Sequence, residues 1–197
     1  KTIKSEEYVQ IFKEGIKISL PSIIILVLAW AIGDVVRYDL KTGEHLSALI
    51  AGIGGENLSK ALPLILFVFS IAIAFATGTS WGCFAVMIPV GITLALHSGL
   101  DLVVATSAIL AGAIYGDHIS PISDTTILTS AGTGCSVQSH FITQLPYASI
   151  SAICAFISFG IISWSNSLLL AYAVGGILLV GIFYYLKIRY ELVQNSI

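Results

Sequence analysis

The 197-residue chain is 56% hydrophobic and only 10% charged, with a net charge of −2 and a mean hydropathy of +0.95, whereas soluble domains average roughly 25% charged residues. Such a composition describes an all-α integral membrane protein whose first partner is the lipid bilayer. It offers no basic run for nucleic acid and, with three widely spaced cysteines, no CxxC redox pair or zinc site.

Residues 1–17 alternate apolar and charged positions near helical spacing, which suits an interfacial amphipathic helix or a linker. The chain opens on Lys1 instead of Met, so a piece of a longer protein is expected. Residues 18–36 are long enough to span a bilayer, with Pro21 expected in the first turn. Residues 37–60 hold dense charge and read as a loop with a short helix.

Two apolar runs of about 15 residues follow within residues 62–96, each short for a span of roughly 20. The turn-prone segment Thr77-Gly78-Thr79-Ser80-Trp81-Gly82 separates them. This pattern predicts a re-entrant hairpin, or else one broken span, and Trp81 is expected to wall its tip.

Residues 101–133 are too long for a straight span: at 1.5 Å per residue they would extend about 50 Å against a 30 Å hydrocarbon core. A broken transmembrane helix resolves the excess. Residues 145–164 and 168–186 are ordinary spans joined by a polar turn. The lysines before the first span, with Lys187 and Arg189 after the last, place both termini in the cytoplasm by the positive-inside bias. That requires an even number of crossings, and a re-entrant hairpin gives four.

Between Lys60 and Lys187 the charged side chains are three aspartates, Asp101, Asp117 and Asp124. Asp101 reads as a helix cap or an interface charge. The other two frame Asp117-His118-Ile119-Ser120-Pro121-Ile122-Ser123-Asp124-Thr125-Thr126. Carboxylates in apolar surroundings need a proton, a cation or water, and intramembrane acids mark functional sites. Pro121 forces Ser120 out of helical geometry and is the expected cause of the break. Asp117 would end the first half-helix, where the dipole is negative and favours a cation or a proton. Asp124 would begin the second, where the dipole favours the ionised form, and an N-cap is the plain alternative for it, compatible with a role in the site. Asp117 is therefore expected to have the higher proton affinity. Hydroxyls of Thr77, Thr79, Ser80, Ser120, Ser123, Thr125 and Thr126 supply the hard oxygen ligands that Na+ prefers.

Residues 116–128, the segment Thr143-Gln144-Leu145-Pro146-Tyr147-Ala148 and the segment Phe75-Ala76-Thr77-Gly78-Thr79-Ser80-Trp81-Gly82 resemble the NhaC-type Na+/H+ antiporter family. The likeness covers the C-terminal half of a family member. It implies one repeat of an inverted-repeat transporter of the cell membrane, exchanging Na+ for H+ with no cofactor. It also implies that Asp117, Ser120, Ser123, Asp124, Thr125 and Thr126 line the cation site, with Thr77, Gly78, Thr79 and Ser80 as the facing hairpin tip. The resemblance leaves His118 as the residue that would tune the pH response. The implied partner is an N-terminal repeat on the same or another chain, and a homodimer is the further assembly considered.

Two other functions fit parts of the pattern. Related families couple Na+ to an organic anion or amino acid, but the core lacks the Lys or Arg that would hold a carboxylate. Tyr115-Gly116-Asp117 resembles part of an intramembrane aspartyl protease motif, yet that chemistry needs carboxylates on facing helices, and here both lie on one segment.

Overall fold

In a computed structural model, residues 5–41, 45 and 56–194 are described. Among them the protein folds into seven α-helices: α1 Ser5–Asp34, α2 Glu56–Thr77, α3 Ser80–Ser98, α4 Leu102–His118, α5 Asp124–Thr133, α6 Val137–Ser165 and α7 Leu168–Gln194.

Helix α1 joins the expected interfacial segment and the first span into one continuous helix. No Gly-Pro or Asn-Gly punctuation falls between them, and Pro21 lies well inside the helix, costing one ladder bond. The helix runs out in a wide turn, Val35–Asp39, closed by the Leu40 N–H donating to the Val35 carbonyl at 2.9 Å. Most of the loop expected at 37–60 lies outside the described residues.

Helices α2, α3 and α4 form the core. Leu62, Leu66, Phe67 and Ala74 of α2 pack with Cys83, Met87 and Val90 of α3 and Ala105, Ala108, Ile109 and Ala113 of α4. Helix α3 folds back along α2, so that the Cys83 thiol lies 3.4 Å from the Ser70 carbonyl. Helix α4 runs parallel to α2 at very short range. A Cβ added at Gly112 would strike the Phe67 carbonyl, and one added at Gly116 would strike that of Ile71. Glycines four apart thus let two backbones touch, as in small-xxx-small membrane packing.

Helix α6 covers this unit in the opposite direction to α4. Its Phe156 and Phe159 rings lie 6.3 and 5.6 Å from Phe67, while the Ser149 hydroxyl meets the Tyr115 hydroxyl at 3.1 Å. Helix α7 packs on α6 and leaves Leu169, Tyr172, Ile177 and Val180 largely exposed. Contiguous apolar surface of this kind fits lipid contact.

Several boundaries differ from the sequence expectation. The arms around Gly78 are 22 and 19 residues, not about 15, because helix continues through polar residues before Leu62 and past Leu96. Helix α6 starts eight residues before 145, where Ser136 caps it by accepting from the Ser139 N–H at 3.1 Å. Helix α7 continues past 186 into its charged end. Three segments of the described residues are long and apolar enough to cross a membrane: Lys60–Thr77, Val137–Ser165 and Leu168–Arg189.

Candidate functional site

The two interruptions meet. Helix α2 ends at Thr77, and Gly78 takes φ +67°, the left-handed conformation that glycine adopts without steric cost. Its carbonyl accepts from the Asp124 N–H at 3.0 Å. A Cβ at Gly78 would sit 2.8 Å from the Ile122 carbonyl carbon. Helix α4 stops at His118, three residues before Pro121, and helix resumes at Asp124. Ser120, fully buried, donates to the Phe75 carbonyl at 2.8 Å and accepts from the Ile122 N–H at 3.4 Å. Its hydroxyl therefore clasps the break onto α2.

Asp117, in the last turn of α4, is 1% exposed. The Thr125 hydroxyl donates to its Oδ2 at 3.2 Å. With that hydrogen engaged, the 2.8 Å contact between the Ser123 and Thr125 hydroxyls has Ser123 donating. The Ser123 oxygen in turn accepts from the Thr126 N–H at 3.1 Å. A directed chain runs from that backbone donor through Ser123 and Thr125 to the carboxylate, and each link polarises the next. Asp117 Oδ1 is buried and has no hydrogen-bond partner, and neither does Asp124 Oδ1. Buried oxygens without partners mark a place where a ligand or water belongs.

The cap of α5 is Ser123, not Asp124. A serine hydroxyl there reaches the N–H three residues on, and Asp124 moves into the first helical turn with its carboxylate left over. Around these residues lie two helix N-termini, at Ser80 and Asp124, and two C-termini, at Thr77 and His118. The four ends bring partial charges of both signs to one locus.

The remaining expected residues divide. Thr79 is buried, and although it is the N-cap of α3 its side chain makes no capping bond; Ser80 is buried beside it. Thr77 is buried but donates to Ile73 of its own helix at 2.8 Å, and Thr126 packs in the interior. His118 bonds the Ile114 carbonyl through Nδ1 at 2.7 Å; because a carbonyl only accepts, that nitrogen carries the hydrogen. Trp81 is 76% exposed and packs edge-on against Phe84, so it points away from the junction instead of walling it. Asp101 caps α4 by accepting from the Val103 N–H at 2.7 Å. Sequence reading passed over Gly112 and Gly116, which bring α4 onto α2, although their four-residue spacing was a visible signal. The Tyr115–Ser149 contact had none.

Among the described residues no three His, Cys, Asp or Glu side chains assemble into a metal cage. The locus offers carboxylate, hydroxyl and carbonyl oxygen, the set suited to hard cations.

A model of the Na+/H+ antiporter family matches residues 1–164. An uncharacterised protein of Haemophilus influenzae is 41% identical over 185 residues, covering 93% of this chain and 35% of the relative. A malate-2H+/Na+-lactate antiporter of Bacillus subtilis is 33% identical over 138 residues, 70% of this chain and 28% of its own length. The Na+/H+ antiporter NhaC of Alkalihalophilus pseudofirmus is 31% identical over 130 residues, 64% of this chain and 27% of the relative. The matched part of the chain thus spans only about a quarter to a third of the length of these relatives. No solved structure matches. The apolar helices, the uncompensated buried aspartate and these likenesses agree: the chain belongs to the Na+/H+ antiporter family.

Proposed function

We propose that the protein exchanges Na+ for H+ across the cell membrane, with the cation bound at the junction of Asp117, Asp124 and the α2–α3 tip. One observation carries this reading: two buried carboxylate oxygens without partners, next to a hydroxyl chain, in a segment that has no Lys or Arg from 61 to 186. Such a carboxylate must be neutralised. Na+ and a proton are alternative neutralisers of the same oxygens, so loading one releases the other, and exchange follows.

In this reading residues 62–96 form a re-entrant hairpin, and α4 with α5 form one broken transmembrane helix. Its freed backbone groups find partners within the protein, the Asp124 N–H on the Gly78 carbonyl among them, as irregular backbone at membrane depth requires. Asp117 carries the exchanged charge. Asp124, Thr125 and Ser123 complete the oxygen set, Gly78 and Thr79 close the opposite wall, and His118 tunes the pH response. The protein is multi-pass with both termini cytoplasmic. The complementary half of the site comes from an N-terminal repeat on the same or another chain, and a homodimer is the second assembly to test. Membership of an antiporter family argues for transport over aspartyl proteolysis.

The malate/lactate relative favours a second reading, Na+-coupled exchange of a small organic anion. The N-termini of α3 and α5 would face its carboxylate. The absence of cationic side chains from the core weighs against it. Proteoliposome flux separates the two. Proton movement driven by a Na+ gradient alone supports Na+/H+ exchange, and proton movement only when malate or lactate is present replaces it with the second reading.

A further inference from the structure

Gln144 lies on α6, outside the two interrupted segments in sequence, and its amide oxygen is buried and has no hydrogen-bond partner. Burying an amide group without a partner costs free energy comparable to a lost hydrogen bond, so the position of this oxygen matters. Two contacts fix the register of α6 against the core. Phe159 packs on Phe67, which lies against Gly112 of α4, and nearer the break Ser149 meets Tyr115. As residue numbers rise along α4 they fall along α6. Five residues on from Ser149 toward the start of α6, about 7.5 Å along its axis, is Gln144. Five residues on from Tyr115 is Ser120, in the break.

On the helical wheel Gln144 lies at one edge of the core-facing sector of α6, whose other edge is Ser149, about 140° away. At 100° per residue, Gln144, Ala148, Ala152, Ala155 and Phe159 fall within an arc of about 80°. Ala152 and Phe159 are core residues, and Ala155 packs against them. Gln144 therefore continues the core-facing stripe of α6 to the level of the break, where Asp117 and Asp124 each keep an unpartnered oxygen. We infer that Gln144 is a neutral amide ligand of the transported cation and sets its selectivity, forming with α4 and α5 a third wall of the site. The inference rests on the sodium-exchange reading above. A neutral oxygen adds coordination without adding charge, so the exchange between Na+ and a proton at the carboxylates is preserved.

The test measures proton flux against Na+ and Li+ concentration for the full protein in proteoliposomes. Gln144→Ala is expected to raise half-saturating Na+ about tenfold, the loss of one contact to a charge. Its maximal rate stays within about twofold and the Na+ to Li+ preference changes, a split that a packing defect would not produce. Gln144→Asn keeps the amide but retracts it by one methylene. It shifts the same parameters, and it decides the matter if the alanine protein does not reach the membrane. Gln144→Glu keeps the oxygen in reach and restores affinity. Half-saturation and ion preference unchanged from wild type in both Gln144→Ala and Gln144→Asn would overturn the inference alone, whereas wild-type protein without any Na+ dependence overturns the exchange reading and this inference together.

Discussion

Gly78 carries more of the site than its size suggests. Its left-handed backbone ends α2, its carbonyl holds Asp124 by the main chain, and the space a Cβ would need belongs to Ile122. Gly78→Ala is expected to destabilise the fold by at least about 1–2 kcal/mol from backbone conformation, with further loss from the collision. Thermal unfolding in detergent should show it, and an unchanged melting temperature would mean the tip does not dock on the break. At this scale the sequence was informative about residue type and less so about role. Ser120, Ser123 and Thr77 read as cation ligands from their oxygens. The Ser120 hydroxyl also donates to Phe75 and the Thr77 hydroxyl to its own helix, while Ser123 caps α5 and hands its own hydrogen to Thr125 within the proposed oxygen set. Hydroxyls compete for backbone partners as readily as for ions, and the winner depends on neighbours 45 residues away in the case of Ser120.

Among the helices, the closest pairing is α2 with α4, set by Gly112 and Gly116 against α2 backbone. A side chain at 116 cannot be accommodated by a rotamer change, because the obstacle is the Ile71 carbonyl. Gly116→Val should therefore cost about 1–3 kcal/mol through overpacking and reduce transport, since Asp117 is the next residue. Gly176→Ala on α7 is the control. Nothing lies within 4 Å of its added Cβ, and helix propensity predicts a gain of about 0.5–1 kcal/mol. Equal unfolding temperatures for the two variants would contradict the packing account. Helix breaks were legible because proline and glycine act locally: Pro121 and Gly78 mark both interruptions. Helix ends were less so. Apolar runs report where lipid or core contact begins, and α6 extends beyond its run through polar residues capped by Ser136, while α7 continues beyond its own into charged residues.

For the whole molecule, crossing number is the open consequence of the hairpin reading. If residues 62–96 enter and leave on one side, the turn at Cys135 faces the cytoplasm with both termini, and the turn at Asn166 faces outside. Cys135 is exposed while Cys83 and Cys154 are buried, so native cysteine chemistry reports the first turn without engineering. An impermeant maleimide should label Cys135 from the cytoplasmic side and a cysteine placed at Asn166 only from the outside. The reverse pattern at both would make residues 62–96 a through-span. Composition identified the membrane class, and charge supplied the topology that this labelling tests. The docking of the tip on the break, by contrast, depends on contacts between residues far apart in the chain, which no local pattern encodes.

The central claim is that a single buried carboxylate, Asp117, carries Na+ and H+ in alternation. It is tested most directly by uptake of radioactive Na+ into proteoliposomes under an imposed pH gradient, comparing wild type with Asp117→Asn at matched amounts of folded protein. The account predicts gradient-driven uptake in the wild type and only the background of empty vesicles in the variant; uptake by Asp117→Asn at the wild-type rate would contradict it.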